Sequence, residues 1–224
     1  MVVPTYNEAE NVRELIPRLS HALRGISHEL VIVDDSSPDG TAEVARELSK
    51  SYPVKLLLRR KKLGLASAIV YGFENATGEI LGVIDADLQH PPEYIINFIE
   101  KIREGYDIVV GSRYVKGGRI EGWGLKRRIL SRGAIMLAKP LAKKVKDPMS
   151  GYFFIRKHVI EGIDFKLTGY KLLLEILVKG KYRGVVEVPY VFRERQNGES
   201  KLGRNEIANY IRLLAHLYMY KIWR

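Results

Sequence analysis

The sequence predicts an α/β domain, a mostly parallel sheet with helices on both faces. Three observations lead there. Short apolar runs of strand length alternate, over the first two-thirds of the chain, with longer stretches whose apolar residues recur at helical spacing. Turn residues (Gly, Pro, Asp, Ser) separate them. Clusters of acidic and amide side chains follow several of the runs, which is where an open parallel sheet holds its ligands.

Val2-Val3-Pro4 reads as the tail of a first strand, and a few residues of that strand are expected to be missing ahead of it. A helix from Glu10 to Arg24 follows, with Val12, Leu15, Ile16 and Leu19 as its apolar stripe. Glu29–Val33 is the second strand. Asp39-Gly40-Thr41 is a turn and cap opening a helix to Lys50. Val54–Leu58 is the third strand, Gly64–Asn75 the next helix and Glu79–Ile84 the fourth strand. Pro91 and Pro92 suit the first turn of a helix running from Pro92 to Glu104, where a missing N–H costs least. Asp107–Gly111 is the fifth strand. Between Arg119 and Lys146 basic residues interleave with Trp123, Leu125, Ile129, Leu130 and Met136. Beyond it come a strand at Tyr152–Arg156, a helix at Gly169–Lys179, a strand at Val185–Phe192, and a helix from Asn205 to Trp223.

At 224 residues with 46% apolar content, one domain with an appendage is expected. The chain has no cysteine, which excludes disulfides, thiolate metal sites and cysteine nucleophiles. No apolar run approaches the ~20 residues that span a bilayer. The 37 Lys and Arg against 26 Asp and Glu leave +11, which favours an anionic partner. A nucleic-acid-binding module would explain that charge but not acidic loops at a sheet rim, which repel phosphate unless a cation intervenes. P-loop, dinucleotide-binding, zinc-protease and serine-hydrolase signatures are all missing from the sequence.

The most telling stretch is Asp85-Ala86-Asp87-Leu88-Gln89-His90-Pro91-Pro92-Glu93. Two carboxylates one residue apart sit where a strand stops. Hard divalent cations favour such oxygens, and Mg²⁺ typically keeps places for substrate phosphate. Pro4-Thr5-Tyr6-Asn7-Glu8, Asp34 to Thr41 and Gly111-Ser112-Arg113 are expected at the same rim.

These motifs, with Asp147-Pro148-Met149-Ser150-Gly151-Tyr152 and Gly198-Glu199-Ser200-Lys201, resemble family 2 glycosyltransferases of the GT-A fold. Within that family they resemble the dolichol-phosphate mannose synthases and related polyprenyl-phosphate sugar synthases. The resemblance implies a catalytic domain over residues 1–203, with 119–146 as a membrane- and acceptor-facing insertion that forms an interfacial helical segment, and a C-terminal amphipathic helix over 204–224. Pro4, Tyr6, Glu8, Val33, Asp35, Asp85, Ala86, Asp87 and Lys201 match positions that hold the donor nucleotide. Asp85, Asp87 and Gln89 match the site of Mg²⁺ or Mn²⁺. Arg113, Arg127 and Ser131 match the acceptor-phosphate site, and Asp87, Arg113 and Arg127 match positions tied to catalysis.

The implied reaction is inverting transfer of mannose from GDP-mannose to a polyprenyl (dolichyl) phosphate. The alternative is glucosyl or other hexosyl transfer from a UDP-sugar. A soluble acceptor would need a carboxylate base, for which Asp147 or Glu175 could be argued. The implied setting is peripheral, at the cytoplasmic face of a membrane. With no spanning segment in the chain, a soluble-type enzyme, a truncated one and one that uses a membrane-anchoring subunit all stay open.

Overall fold

The computed structural model describes residues 1–166, 171–193 and 204–223, the side chains of residues 204 and 205 excepted. Strands β1 (Val2–Thr5), β2 (Leu30–Asp34), β3 (Val54–Leu58) and β4 (Ile80–Val83) alternate with helices α1 (Ala9–Ala22), α2 (Thr41–Leu48) and α3 (Leu65–Asn75). A short 3₁₀ turn, Pro92–Tyr94, leads into α4 (Ile95–Arg103), then β5 (Ile108–Ser112), β6 (Arg119–Ile120) and α5 (Leu125–Ala138). The chain continues through β7 (Phe153–Arg156), α6 (Leu172–Lys179), β8 (Val185–Pro189), β9 (Val191–Phe192) and α7 (Arg204–Ile222).

The main sheet has the order β3-β2-β1-β4-β7-β5-β8. Its strands are parallel except β7, which runs antiparallel to both β4 and β5. The reason lies in the excursion through α5. The chain leaves β5 at one rim and comes back at that rim, where the Arg113 amide donates to Asp147 Oδ2 at 3.1 Å and the Gly111 amide to the Tyr152 carbonyl at 2.8 Å. A strand entered from the rim must run away from it.

Alternation along the pleat feeds two apolar layers. Val2 belongs to the layer beneath α3, α6 and α7, and Val3 to the layer beneath α1, α2 and α4. The predicted α1 stripe of Val12, Leu15, Ile16 and Leu19 is fully buried. Two expectations need correction. The strand expected over 185–192 is two strands: Pro189, which has no N–H to donate, ends β8, and β9 leaves the main sheet to pair in parallel with β6. Residues 119–146, expected as an interfacial helical segment, are helical only in part. They hold β6, then α5; Ala138, Leu141, Ala142 and Val145 are buried in one core layer, and Ile120 and Trp123 pack against the other.

The C-terminal helix α7 packs inward through Leu213, Leu214 and Leu217. It also donates to the carbonyls at the end of α5 and just beyond: Tyr210 to Ala134 at 2.6 Å, Tyr218 to Leu137 at 2.8 Å and Lys221 to Pro140 at 3.0 Å. Of these, the Leu137 carbonyl is one that the end of α5 leaves without an intrahelical partner.

Candidate active site

The loops after β1, β2, β3, β4 and β5 share one rim of the sheet, because those strands are mutually parallel or linked in that sense through β7. The strand order reverses direction between β1 and β4, the switch point at which open sheets open a crevice. The D-x-D loop leaves β4 at that point.

The loop after β2 braces the loop after β1. Ser37 Oγ accepts from the Asn7 amide at 2.9 Å, Thr41 Oγ1 from Glu8 at 3.0 Å and Asp39 Oδ2 from Ala9 at 3.0 Å. The orphan donors at the start of α1 are thereby satisfied from a neighbouring loop. This holds Tyr6 and Glu8 in place, and Glu8 Oε2 accepts from Asn11 at 2.5 Å. Pro4 and Val33 are buried strand neighbours. Val33 points its side chain into the core against Gly72, so it can meet a ligand only through its backbone.

Asp35 is buried in an ion pair with Arg59, whose Nε donates to Oδ1 at 2.5 Å, while Oδ2 accepts from the Leu63 amide at 3.1 Å. It thus organises the 59–64 loop, whose Lys62 Nζ lies 3.8 Å from the centroid of the Tyr6 ring. That loop was not among the expected site elements. Its signal was present, in the run Arg59-Arg60-Lys61-Lys62 straight after the third strand.

Leu88, within the D-x-D loop, has φ 60°, and Asn7 and Ser36 on the neighbouring rim loops have φ 59° and 55°. Non-glycine residues in this region carry about 1–3 kcal/mol of strain, which collects at functional loops. The turn at Leu88 lets the Gln89 amide donate to Asp87 Oδ1 at 3.2 Å. Gln89 then locks onto the end of β9: its Nε2 donates to the Arg193 carbonyl at 3.1 Å, and the Arg193 amide donates to its carbonyl at 3.1 Å. Gln89, expected among the metal ligands, therefore commits its amide nitrogen to joining the D-x-D loop to β9. Ala86 is buried beneath the two partly exposed aspartates.

Asp85 lies close over Gly151, where an added Cβ would stand 3.0 Å from Asp85 Oδ2 and press on the carboxylate. Among the described residues no group of three or more metal-binding His, Asp or Glu side chains converges. Two accessible carboxylates on one loop fit a hard cation that takes its other ligands from substrate phosphate and water, the habit of Mg²⁺. His90 Nδ1 lies 3.6 Å from Asp85 Oδ2, yet this is no ionic pair. Burial, then the nearby Arg113 and Lys171 charges, push the imidazole down to about 3. The neutral ring stacks on Tyr152 at 5.2 Å and meets Tyr190 and Phe192 edge-on, forming an aromatic floor for the loop.

That neutrality makes stability depend on pH. An unfolded histidine protonates near ~6.5, the folded one only near about 3. Between those values the unfolded chain binds more protons, so stability is full above the unfolded value and falls as pH drops through it. Urea unfolding should show about 2 kcal/mol lost to this group between neutral pH and about pH 5, and His90→Phe should flatten that part of the profile. An unchanged slope in the variant would contradict the assignment.

On the other side of the crevice Arg113 is gripped by Asp147. Its Nε donates to Oδ2 at 2.7 Å and its Nη2 to Oδ1 at 2.8 Å, both groups being buried. Burial opposes the Arg113 charge, but the Asp147 carboxylate overcomes it and raises the pKa above the ordinary value. The Asp147 amide donates in turn to Glu187 Oε1 at 2.9 Å. Asp147 is therefore the partner of Arg113 and not a spare base. Glu175, the other carboxylate considered for that role, is buried against Lys179 at 2.5 Å. Arg127, on α5, places its guanidinium 4.2 Å from the Trp123 ring centroid. One helical turn on, the Ser131 hydroxyl meets the Tyr114 hydroxyl at 3.0 Å. Arg113 lies 5.4 Å from the same Trp123 ring centroid, so the two guanidinium groups share that ring, and Ser131 is tied to Tyr114, the neighbour of Arg113.

Lys171, just before α6, belongs to the same cluster and was not foreseen. Burial, then Arg113, lowers its ammonium to about 8, and the charges of Asp147, Asp85 and Arg127 also act on it. No local pattern in the sequence marks it. Lys201, expected to close on the donor, lies outside the described residues.

The chain matches the family model described as glycosyl transferase family 2 over residues 1–164. It is 51% identical to the dolichol-phosphate mannosyltransferase of Pyrococcus furiosus across all of this chain, which spans 63% of that relative's length. It is 36% identical to the Saccharomyces cerevisiae dolichol-phosphate mannosyltransferase, over 99% of this chain and 87% of the relative. Among solved structures it resembles a glucosyl-3-phosphoglycerate synthase from Mycobacterium tuberculosis in complex with Mn²⁺, UDP-glucose and phosphoglyceric acid. That likeness has a TM-score of 0.70 at 20% identity, covers 96% of this chain and 78% of that one, and bears on the fold.

Proposed function

This chain belongs to glycosyl transferase family 2, and from that premise we propose that it transfers mannose from GDP-mannose to a polyprenyl phosphate of the dolichyl type, with inversion at the anomeric carbon. One observation supports it most: the Asp147–Gly151 turn joins the two charged groups, since Asp147 grips Arg113 at 2.7 and 2.8 Å and Gly151 lies against Asp85 of the D-x-D loop. Relatives named as mannosyltransferases favour this reading over the glucosyl alternative.

Tyr6, Glu8 and the 59–64 loop organised by Asp35 hold the nucleoside. Asp85 and Asp87 hold Mg²⁺ or Mn²⁺, which when bound offsets the charge of the departing diphosphate. Arg113 and Arg127 present planar forks to the acceptor phosphate, which is anionic near neutral pH because its second pKa is about 6. It attacks the anomeric carbon as the bond to the nucleoside diphosphate breaks, so no protein base is needed. The engagement of Asp147 and Glu175 in buried pairs suits such a mechanism. Asp147 holds the Nε–Nη2 edge of Arg113 and so orients its Nη1–Nη2 edge.

A lipid acceptor calls for an interface, and the exposed apolar residues of α5 support one there. Leu125, Ile129, Leu130, Met136 and Leu137 are 49–74% exposed, beside exposed Lys126, Arg128 and Arg132. Among the described residues no helix is long and apolar enough to cross a membrane. Each Lys or Arg near an anionic surface contributes about 1 kcal/mol. Sedimentation with phosphatidylserine vesicles should therefore weaken with salt and with Ile129→Ser/Leu130→Ser. Equal sedimentation of variant and parent would remove α5 from the interface.

Function is tested with radiolabelled GDP-mannose and UDP-glucose, dolichyl phosphate, and Mn²⁺ or Mg²⁺. Mannolipid should form from GDP-mannose only, and glucolipid from UDP-glucose alone would reverse the donor assignment. Arg127→Ala should raise the acceptor KM about ten- to a hundredfold, as expected for a charged hydrogen bond of about 1.5–3 kcal/mol, with the donor KM little changed. Equal losses for both substrates would exclude the acceptor role.

A further inference from the structure

Building on the polyprenyl-phosphate reading, we propose that Lys171 is a further phosphate-binding residue, a third cation beside Arg113 and Arg127 for the phosphate monoester at the reacting centre. Its Nζ donates to the Met149 carbonyl at 3.3 Å, at the long end of the usual range. Met149 lies in the Asp147–Gly151 turn. That turn also supplies the carboxylate that grips Arg113 and the glycine that makes room for Asp85. One short segment therefore places Lys171, Arg113 and the D-x-D loop relative to one another.

The contrast with Lys179 is informative. Lys179 is buried and answered by Glu175 Oε1 at 2.5 Å and the Asp164 carbonyl at 2.7 Å. Lys171 forms no ion pair with a carboxylate among the described residues. The obvious candidate, Asp147, is occupied by the Arg113 amide, Nε and Nη2. An ammonium carries three donors, and one long bond to a carbonyl leaves capacity for an anion. A cation held from water with no carboxylate in ion-pair contact is costly in a resting protein and useful where an anion arrives. Lys171 as a whole is partly accessible. A phosphate monoester fits, because its several oxygens can be shared among an ammonium and two guanidinium groups. A donor diphosphate offers the same oxygens, and the test separates the two.

Wild-type transfer to dolichyl phosphate is measured first. Its absence overturns the functional reading beneath this proposal. With transfer present, Lys171→Met should raise the acceptor KM about tenfold or more, leave the donor KM within about twofold, and leave the melting temperature close to that of the parent. Lys171→Arg, which keeps the charge, should recover most of the loss. A wild-type acceptor KM in Lys171→Met overturns this inference alone. So does a rise confined to the donor KM, which would assign Lys171 to the diphosphate. So does a fall in melting temperature with both KM values unchanged, which would make it a strut for Met149. Failure of the arginine variant to recover would show that charge is not what the position supplies, and would overturn it as well.

Discussion

Asp87→Ala is expected to lower sugar transfer by about 10²–10³-fold or more, the range seen when one electrostatic partner of a developing charge is removed, with little effect on stability. Asp87 is partly exposed, and it does not hold its loop alone. The loop is tied down by the reciprocal Gln89–Arg193 bonds and by the aromatic floor under His90. The hydrogen bond from the Gln89 amide would be lost in the alanine variant. Asp87→Asn separates that contribution, since its carbonyl oxygen can still accept the bond while the charge is gone. Both variants should melt near the parent, and both should have lost activity at saturating Mn²⁺. Titrating the metal should not restore them. Substantial activity in either, or undiminished wild-type activity in excess chelator, would remove the D-x-D cation from the mechanism.

Asp147→Ala should have the largest effect on stability. It strips a buried guanidinium of its carboxylate, and breaking one side of a buried pair costs about 3–5 kcal/mol. For a chain of this size that corresponds to a melting temperature about 10 °C lower. Asp147 also accepts the Arg113 amide, so the turn that returns the chain to β7 loosens as well. The acceptor KM should rise in step, because Arg113 no longer presents a fixed edge. A double-mutant cycle with Arg113→Met distinguishes this from general damage. Coupled residues give a double variant far less destabilised than the sum of the singles. Additive losses, or an Asp147→Ala variant melting within about 2 °C of the parent, would show that the pair does not hold the site.

Much of the molecule was legible in the chain. Regular alternation of strand-length apolar runs and helical stripes placed every strand of the first half within a residue or two, because burial against a sheet enforces both periods. Asp85, Asp87, Arg113 and Arg127 were all visible as motif residues at strand ends or in the basic segment. Less legible was what each side chain does with its hydrogen bonds. Asp35 stood as a nucleotide ligand and is also the partner of Arg59. Asp147 stood as a candidate base and is the partner of Arg113, 34 positions away. Gln89 stood as a metal ligand and also carries the link to Arg193, 104 positions away. Lys171 carried no signal at all, since one lysine ahead of a leucine-rich helix looks like a solvated helix start.

By itself, then, the sequence determined the α/β class, the rim at which chemistry gathers, the charged groups available there and the family to which they belong. These follow from local periodicity and short motifs, in which cause and residue lie within a few positions of each other. Only the tertiary structure decided the antiparallel run of β7, the departure of β9 to pair with β6, the docking of α7 on the end of α5, and which carboxylate answers which cation. Those depend on contacts between residues tens of positions apart. Once water is excluded, the few partners within reach, and not the residue's own type, decide whether a charge is spent on structure or left for substrate.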